Sequence, residues 1–180
     1  MTEVMMHDGV MLQLMRPDPE CLNITTIARH LSRIARYTGA TRDFYPVAQH
    51  CVVGAEWYLA RGMRQEARSF LFHDAHEALT GDIKSPMKPF TVGLSEVQRS
   101  IDNSIEQRFD VKLHSTDGNF LCIRRMDNAL LQREWIDLMP SEWDGPDYMH
   151  LYAMDLDPIT DCWTMDMAMH RFLETYHDIK

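Results

Sequence analysis

Apolar residues along the chain recur at spacings of three and four, the period of helices with one buried face. Ile24, Ile27, Leu31, Ile34 and Ala35 form the first such stripe. The spacing predicts a helix over ITTIARHLSRIARY, with Asn23 or Thr25 as its N-cap and Gly39 as its stop. Pro46 suits the first turn of a second helix, YPVAQHCVVGAEWYLA, which Gly62 closes. A third helix is expected from about Gln65 to Leu79, ended by Thr80-Gly81. Two prolines and a glycine make GDIKSPMKPF a loop. Leu94, Val97, Ile101, Ile105 and Phe109 then lie along one helix face, and FLCIRRMDNALLQREWIDLM forms another helix that Pro140 stops. The segment from Ser141 to Pro158 reads as irregular, and a last helix is expected over about 160–178. Only Val10 to Met15 offers a short strand or an arm. The expectation is an all-α fold, one compact helical bundle of about six helices in a single domain over residues 1–180.

Composition narrows the function classes. A chain of 180 residues, 45% hydrophobic and 25% charged, closes one core without staples. Lys and Arg number 18 against 27 acids, a net charge of −9. That argues against an extended nucleic-acid surface, which needs positive charge to release counterions. A small phosphorylated ligand needs only two or three local cations and stays possible. No apolar run approaches the roughly 18 residues of a membrane span, and MTEVMMHDGVMLQLM has neither the basic start nor the cleavage site of a secretion signal. Cys21, Cys51, Cys122 and Cys162 form no close pairs, so a thiolate cluster or disulfide scaffold is not expected and a reducing cytoplasm is. The 14 methionines read as adaptable core filler.

Chemistry-bearing residues stand where the pattern is otherwise apolar. His73 and Asp74 are adjacent in SFLFHDAHEALTGD, and burying such a pair is costly unless both are satisfied by partners or a metal. Neighbours on a helix point about 100° apart, so a metal would draw further ligands from other elements. His50 in VAQHCVV and Asp127 in RRMDNALL are candidates. His50, His73, Asp74 and Asp127 make a two-imidazole, two-carboxylate set suited to Co²⁺, Mn²⁺, Fe²⁺ or Zn²⁺. Taken singly, each of these residues is more commonly a hydrogen-bonded or solvated helix residue. Glu77, three residues beyond Asp74 and four beyond His73, shares the helix face that would meet the metal. There it is placed to orient water and accept its proton, since metal binding lowers the pKa of water from 15.7 towards roughly 7. HDAHE is not HExxH, and no Walker loop or GxSxG elbow is present.

The wording around these positions resembles the HD-domain phosphohydrolase superfamily, whose pattern is a histidine, a His-Asp pair and a distant aspartate. HLSRIARY, FYPVAQHCVV, LFHDAHEALTGDIKSPMK and MDNAL are similar to its small nucleotide-hydrolysing branch, the bacterial 5′-deoxynucleotidases and the short phage-type enzymes that include dATP triphosphohydrolases. The resemblance spans about residues 20–135, within a motif-bearing core of about 20–140. It implies an HD-domain fold and metal ligation by His50, His73, Asp74 and Asp127, with Asp74 and Glu77 at the catalytic centre. It further implies Arg36 on phosphate, with Arg33 one turn earlier as the competing match, and Asp82 near the deoxyribose 3′-hydroxyl. Arginine fits phosphate through its planar fork.

The function expected from residues and resemblance together is metal-dependent hydrolysis of deoxynucleoside 5′-phosphates at the α-phosphate. A dNTP of the dATP type, releasing deoxynucleoside and triphosphate, is preferred over dNMP hydrolysis releasing phosphate. A non-catalytic nucleotide sensor or assembly module is the rival from another class, and a signalling-nucleotide hydrolase shares the metal set. One divalent ion is expected, because His76 and His114 are not spaced convincingly for a second. Partners are a small deoxynucleotide and, as is common among small relatives, further copies of the chain, with no extended nucleic acid and no membrane. The setting is the cytoplasm of a bacterial or phage-infected cell. The roles of His76, Lys84 and Lys88 stay open at this point.

Overall fold

A computed structural model describes residues 3–114, 118–140 and 154–180. Among the described residues the fold is all-α apart from one small hairpin. Among the described residues, seven helices run α1 (Ile24–Leu31), α2 (Val47–Leu59), α3 (Arg64–Phe72), α4 (Glu77–Thr80), α5 (Leu94–Phe109), α6 (Gly118–Leu138) and α7 (Met165–Ile179). The hairpin pairs β1 (Glu3–Met5) antiparallel with β2 (Met11–Gln13), Val4 opposite Leu12. The stretch expected as a strand or an arm is therefore a strand, and buried Met6 and Leu12 seat the hairpin on the helices.

The centre of the fold is α2. Val47 through Val52 are all buried, as are Gly54, Ala55 and Tyr58. So buried a helix needs neighbours on most of its sides, and α1, α3, α6 and α7 pack around this one. Phe70 of α3 lies so close to Gly54 that a β-carbon there would stand 2.2 Å from its ring. Beyond α3, Phe72 stacks on Phe109 at 4.8 Å between ring centroids and meets Phe172 and Tyr176 edge-on. Those contacts join α3, α5 and α7 into one hydrophobic core.

The boundaries correct the pattern reading in three places. α1 stops at Leu31, although its apolar stripe continues to Ile34. Ala35 instead forms an isolated bridge with Pro46, and Tyr37 and Thr38 take positive φ values of 56° and 52°. That bend turns the chain back towards α2 and puts Arg36 inside. The expected third helix is broken: α3 ends at Phe72, and residues 73–76 are turns held by i→i−3 hydrogen bonds such as Ala75 N–H to Phe72 O and Glu77 N–H to Asp74 O. The last helix begins at Met165 and not near Thr160, because Thr164 is the residue whose hydroxyl accepts from Met167 N–H. The expected loop GDIKSPMKPF contains an exposed 3₁₀ stretch over Ser85–Phe90. Of the segment expected to be irregular, residues 141–153 lie outside the described residues, and 154–158 carry no regular structure. No helix among the described residues is long and apolar enough to cross a membrane.

Candidate metal centre

The four residues picked out as ligands meet at one place. His50 comes from the first turn of α2, His73 and Asp74 from the turn after α3, and Asp127 from the middle of α6. His50 Nε2 is 3.3 Å from His73 Nε2, 3.8 Å from Asp74 Oδ2 and 3.4 Å from Asp127 Oδ1. His73 Nε2 is 3.2 Å from Asp74 Oδ2 and 3.9 Å from Asp127 Oδ1. Donors around a tetrahedral ion at bond lengths of 2.0–2.2 Å stand about 3.4 Å apart, and the spacings among His50, His73 and Asp74 lie near that value. His50, His73 and Asp74 form the tighter trio, with ligand atoms within 4.8 Å of one another. Asp127 approaches both imidazoles from the open side, its side chain 45% exposed, but lies outside that trio.

Hydrogen-bond chemistry decides which nitrogen of each imidazole faces that point. His50 Nδ1 lies 2.6 Å from Glu134 Oε1, deep in the core. The other oxygen of Glu134 accepts from Arg36 Nε at 3.1 Å and from the Tyr37 hydroxyl at 2.6 Å. Burial works against the Glu134 charge, but Arg36 and His50 outweigh it and hold the carboxyl below its ordinary range. An ionised carboxylate only accepts, so the proton of neutral His50 sits on Nδ1 and its Nε2 lone pair faces the centre. His73 is arranged alike: its Nδ1 lies 2.6 Å from the Phe70 carbonyl, which can only accept. Two nitrogen lone pairs therefore point at each other across 3.3 Å, an arrangement that calls for positive charge between them. Without an ion, a proton supplies that charge. Burial favours the neutral His73 ring, yet Asp74 beside it lifts the imidazole well above its ordinary value. Asp74 is opposed by the same burial and held well below the usual carboxylate range by His73, His50 and Arg36.

Sequence reading missed Glu134. It lies seven residues after Asp127 in α6, two turns along the same face, and it is fully buried. A glutamate between Arg133 and Trp135 looks like a solvated helix acid, and only that spacing hinted otherwise. Cys51 also lies beside His73, but burial raises its thiol to about 11, so it offers no thiolate at neutral pH.

The remaining candidates separate clearly. Arg36 is 9% exposed, and its Nη1 lies 3.4 Å from Asp74 Oδ2. Arg33 instead turns outward, to the Arg29 carbonyl, Ser32 Oγ and exposed Asp166. Glu77 is 4% exposed, and its Oε2 has no hydrogen-bond partner. Burial, with the charges of Asp74 and Asp82, raises its carboxyl to about 10. Asp82 is half-buried near Arg36; burial raises its carboxyl, with Arg36 opposing and Asp74 adding to the rise. Lys84 and Lys88 are exposed. His76 is buried, and it lines a cavity of about 430 Å³ together with His73, Arg99, Asp102, Arg124 and Asp127. The centre therefore opens onto a space large enough for a small ligand.

No family model matches the chain. It is similar to the uncharacterized protein YfdR of Escherichia coli (strain K12), 34% identical over 86 residues, which cover 48% of this chain and 46% of that protein. The match thus spans about half the length of that relative.

Proposed function

We propose that this protein hydrolyses deoxynucleoside 5′-phosphates at the α-phosphate with the help of a divalent metal ion, taking a dNTP of the dATP type as its preferred substrate. The observation that carries the reading is the pair of imidazoles whose second nitrogens are tied to Glu134 and Phe70, so that both Nε2 atoms face one point beside two aspartates. His50, His73, Asp74 and Asp127 would hold the ion. Co²⁺, Mn²⁺, Fe²⁺ and Zn²⁺ all suit such donors. Such an ion supplies Lewis acidity towards a phosphoryl oxygen and makes water more acidic.

The chain's own groups take the other roles. Water oxygen bonds to the α-phosphorus as the bond from phosphorus to the 5′-oxygen breaks. The water's proton passes to Glu77, and the leaving 5′-oxygen takes a proton from solvent water to become the hydroxyl of the deoxynucleoside. A carboxyl raised to about 10 is protonated at neutral pH, so Glu77 can take the water's proton only once nearby positive charge has ionised it, which Arg36 and a bound ion would do. Arg36, already fixed by Glu134 and Asp74, is placed to hold phosphate charge. Asp82 is read as the partner of the sugar 3′-hydroxyl, on the resemblance to nucleotide-hydrolysing HD enzymes. Arg99 and Arg124 line the cavity beside Asp127, which favours a substrate with a phosphate tail over a monophosphate.

The test is incubation of the Mn²⁺- or Co²⁺-loaded protein with dNMPs, dNTPs and rNTPs, reading phosphate, triphosphate and nucleoside separately. Triphosphate and deoxynucleoside from a dNTP are expected. Phosphate released only from dNMPs would move the assignment to a 5′-deoxynucleotidase. Survival of every nucleotide while metal binds would leave a non-catalytic nucleotide-binding module. Glu77→Ala is expected to abolish turnover while the ion at His50, His73, Asp74 and Asp127 stays bound.

A further inference from the structure

Two buried polar atoms beside the centre have no protein partner: His76 Nε2 and Glu77 Oε2. Both residues are more than nine-tenths buried, at 8% and 4% exposure. Leaving such atoms unsatisfied is costly, so a structure that does so twice within adjacent residues calls for an occupant. Asp74, His76 and Glu77 each offer a ligand atom, and the three atoms lie within 4.8 Å of one another. Asp74 belongs to this trio and to the trio with His50 and His73.

The orientation of His76 is built from behind. Its Nδ1 lies 3.0 Å from Asp102 Oδ1, and the other oxygen of Asp102 accepts from His114 Nε2 at 2.9 Å. Asp102 is 5% exposed and projects from α5, so an element outside the first centre holds this ring. With the carboxylate accepting at Nδ1, the lone pair of neutral His76 lies on Nε2, the nitrogen without a partner. A carboxylate behind a histidine that presents its other nitrogen is the usual backing of a metal-ligating imidazole. The turn geometry assists, because i→i−3 bonding brings Asp74 and Glu77 onto one side.

We infer that Asp74, His76 and Glu77 form a second divalent-cation site that shares Asp74 with the first. This deepens the reading of the centre given above, and it replaces the single ion expected from sequence with two. The ligand is a cation taking mixed nitrogen and oxygen donors, Mn²⁺ being the natural probe. Paired ions about 3.5–4 Å apart are an established arrangement for holding phosphate groups.

Equilibrium dialysis against MnCl₂, followed by elemental analysis, counts the ions per chain, and electron paramagnetic resonance reports whether they are close enough to couple. Two coupled Mn²⁺ ions are expected in the unaltered protein, and one uncoupled ion in His76→Ala. Asp102→Asn removes no ligand and is expected to weaken the second ion at least about tenfold while sparing the first. One ion per chain at saturation in the unaltered protein would overturn the second site and leave the first intact. Two ions retained with unaltered coupling in both variants would overturn it as well. No bound ion at all would overturn this inference together with the proposed function. If His76→Ala fails to fold, the unaltered protein's count and Asp102→Asn still decide the matter.

Discussion

Replacing Glu134 by glutamine tests how the first centre is held together. The glutamate is fully buried and takes three hydrogen bonds, from His50 Nδ1, Arg36 Nε and the Tyr37 hydroxyl. A glutamine of the same shape keeps one acceptor oxygen. If that oxygen stays on His50, the new amide N–H groups face Arg36 and Tyr37, which are themselves donors. If the amide faces His50, the histidine proton is driven to Nε2 and the lone pair leaves the ion. Either way metal affinity is expected to fall about 10–100-fold, which corresponds to about 1.4–2.7 kcal/mol. Isothermal titration with Mn²⁺ reads this directly, with circular dichroism as the check on folding. Glu134→Ala goes further, since it leaves a buried guanidinium with Asp74 as its one remaining ion-pair partner among the described residues. It is expected to destabilise the fold by about 3–5 kcal/mol, near the low end because Asp74 remains. At 2–4 °C per kcal/mol for a chain of this size, thermal unfolding should fall by roughly 6–12 °C. Mn²⁺ affinity unchanged in a well-folded Glu134→Gln variant would refute the idea that this carboxylate sets the His50 tautomer.

Other expectations follow from the same geometry. In metal-free protein Glu77 stays protonated up to about pH 10, whereas the unfolded chain ionises it near 4.5. Stability from this group is therefore full below pH 4.5 and lost as pH rises towards 10. Glu77→Gln in chelator should melt higher than the unaltered protein at pH 8, by at least about 1 kcal/mol, and no differently at pH 4; equal melting at pH 8 would count against the buried acid. Gly54→Ala would push a methyl into Phe70, the ring at 4.2 Å from His73 whose carbonyl also holds it. A loss of about 1–3 kcal/mol is expected in urea unfolding, with weakened metal binding alongside; an unperturbed variant would show that α2 and α3 are not so tightly apposed. Asp82→Ala should lessen discrimination between deoxy and dideoxy substrates, measured as a ratio of kcat/KM, and an unaltered ratio would remove Asp82 from the sugar.

Long helices with a clean stripe were legible from the chain itself. α5 begins at Leu94, and Ile101, Ile105 and Phe109 are buried as the spacing required. α6 ends at Leu138, just before Pro140. The boundaries that went astray are those where tertiary contacts overrule a continuing period. Ile34 prolongs the stripe of α1, yet the bridge from Ala35 to Pro46 bends the chain first. The polar run His73-Asp74 interrupts α3 by claiming the Phe70 carbonyl for its own side chain. The ligands themselves were visible because polar groups in apolar helices demand partners. Their supports were not: Glu134 and Asp102 sit in α6 and α5 among other charged residues, and only the fold shows which of those acids point inward.

The most direct test of the account is an anomalous difference map from crystals of the protein grown with Mn²⁺. The expected peak lies about 2.0–2.3 Å from His50 Nε2, His73 Nε2 and carboxylate oxygens of Asp74 and Asp127. Density between His50 and His73 that shows no anomalous signal, or a peak bound only elsewhere on the surface, would contradict it.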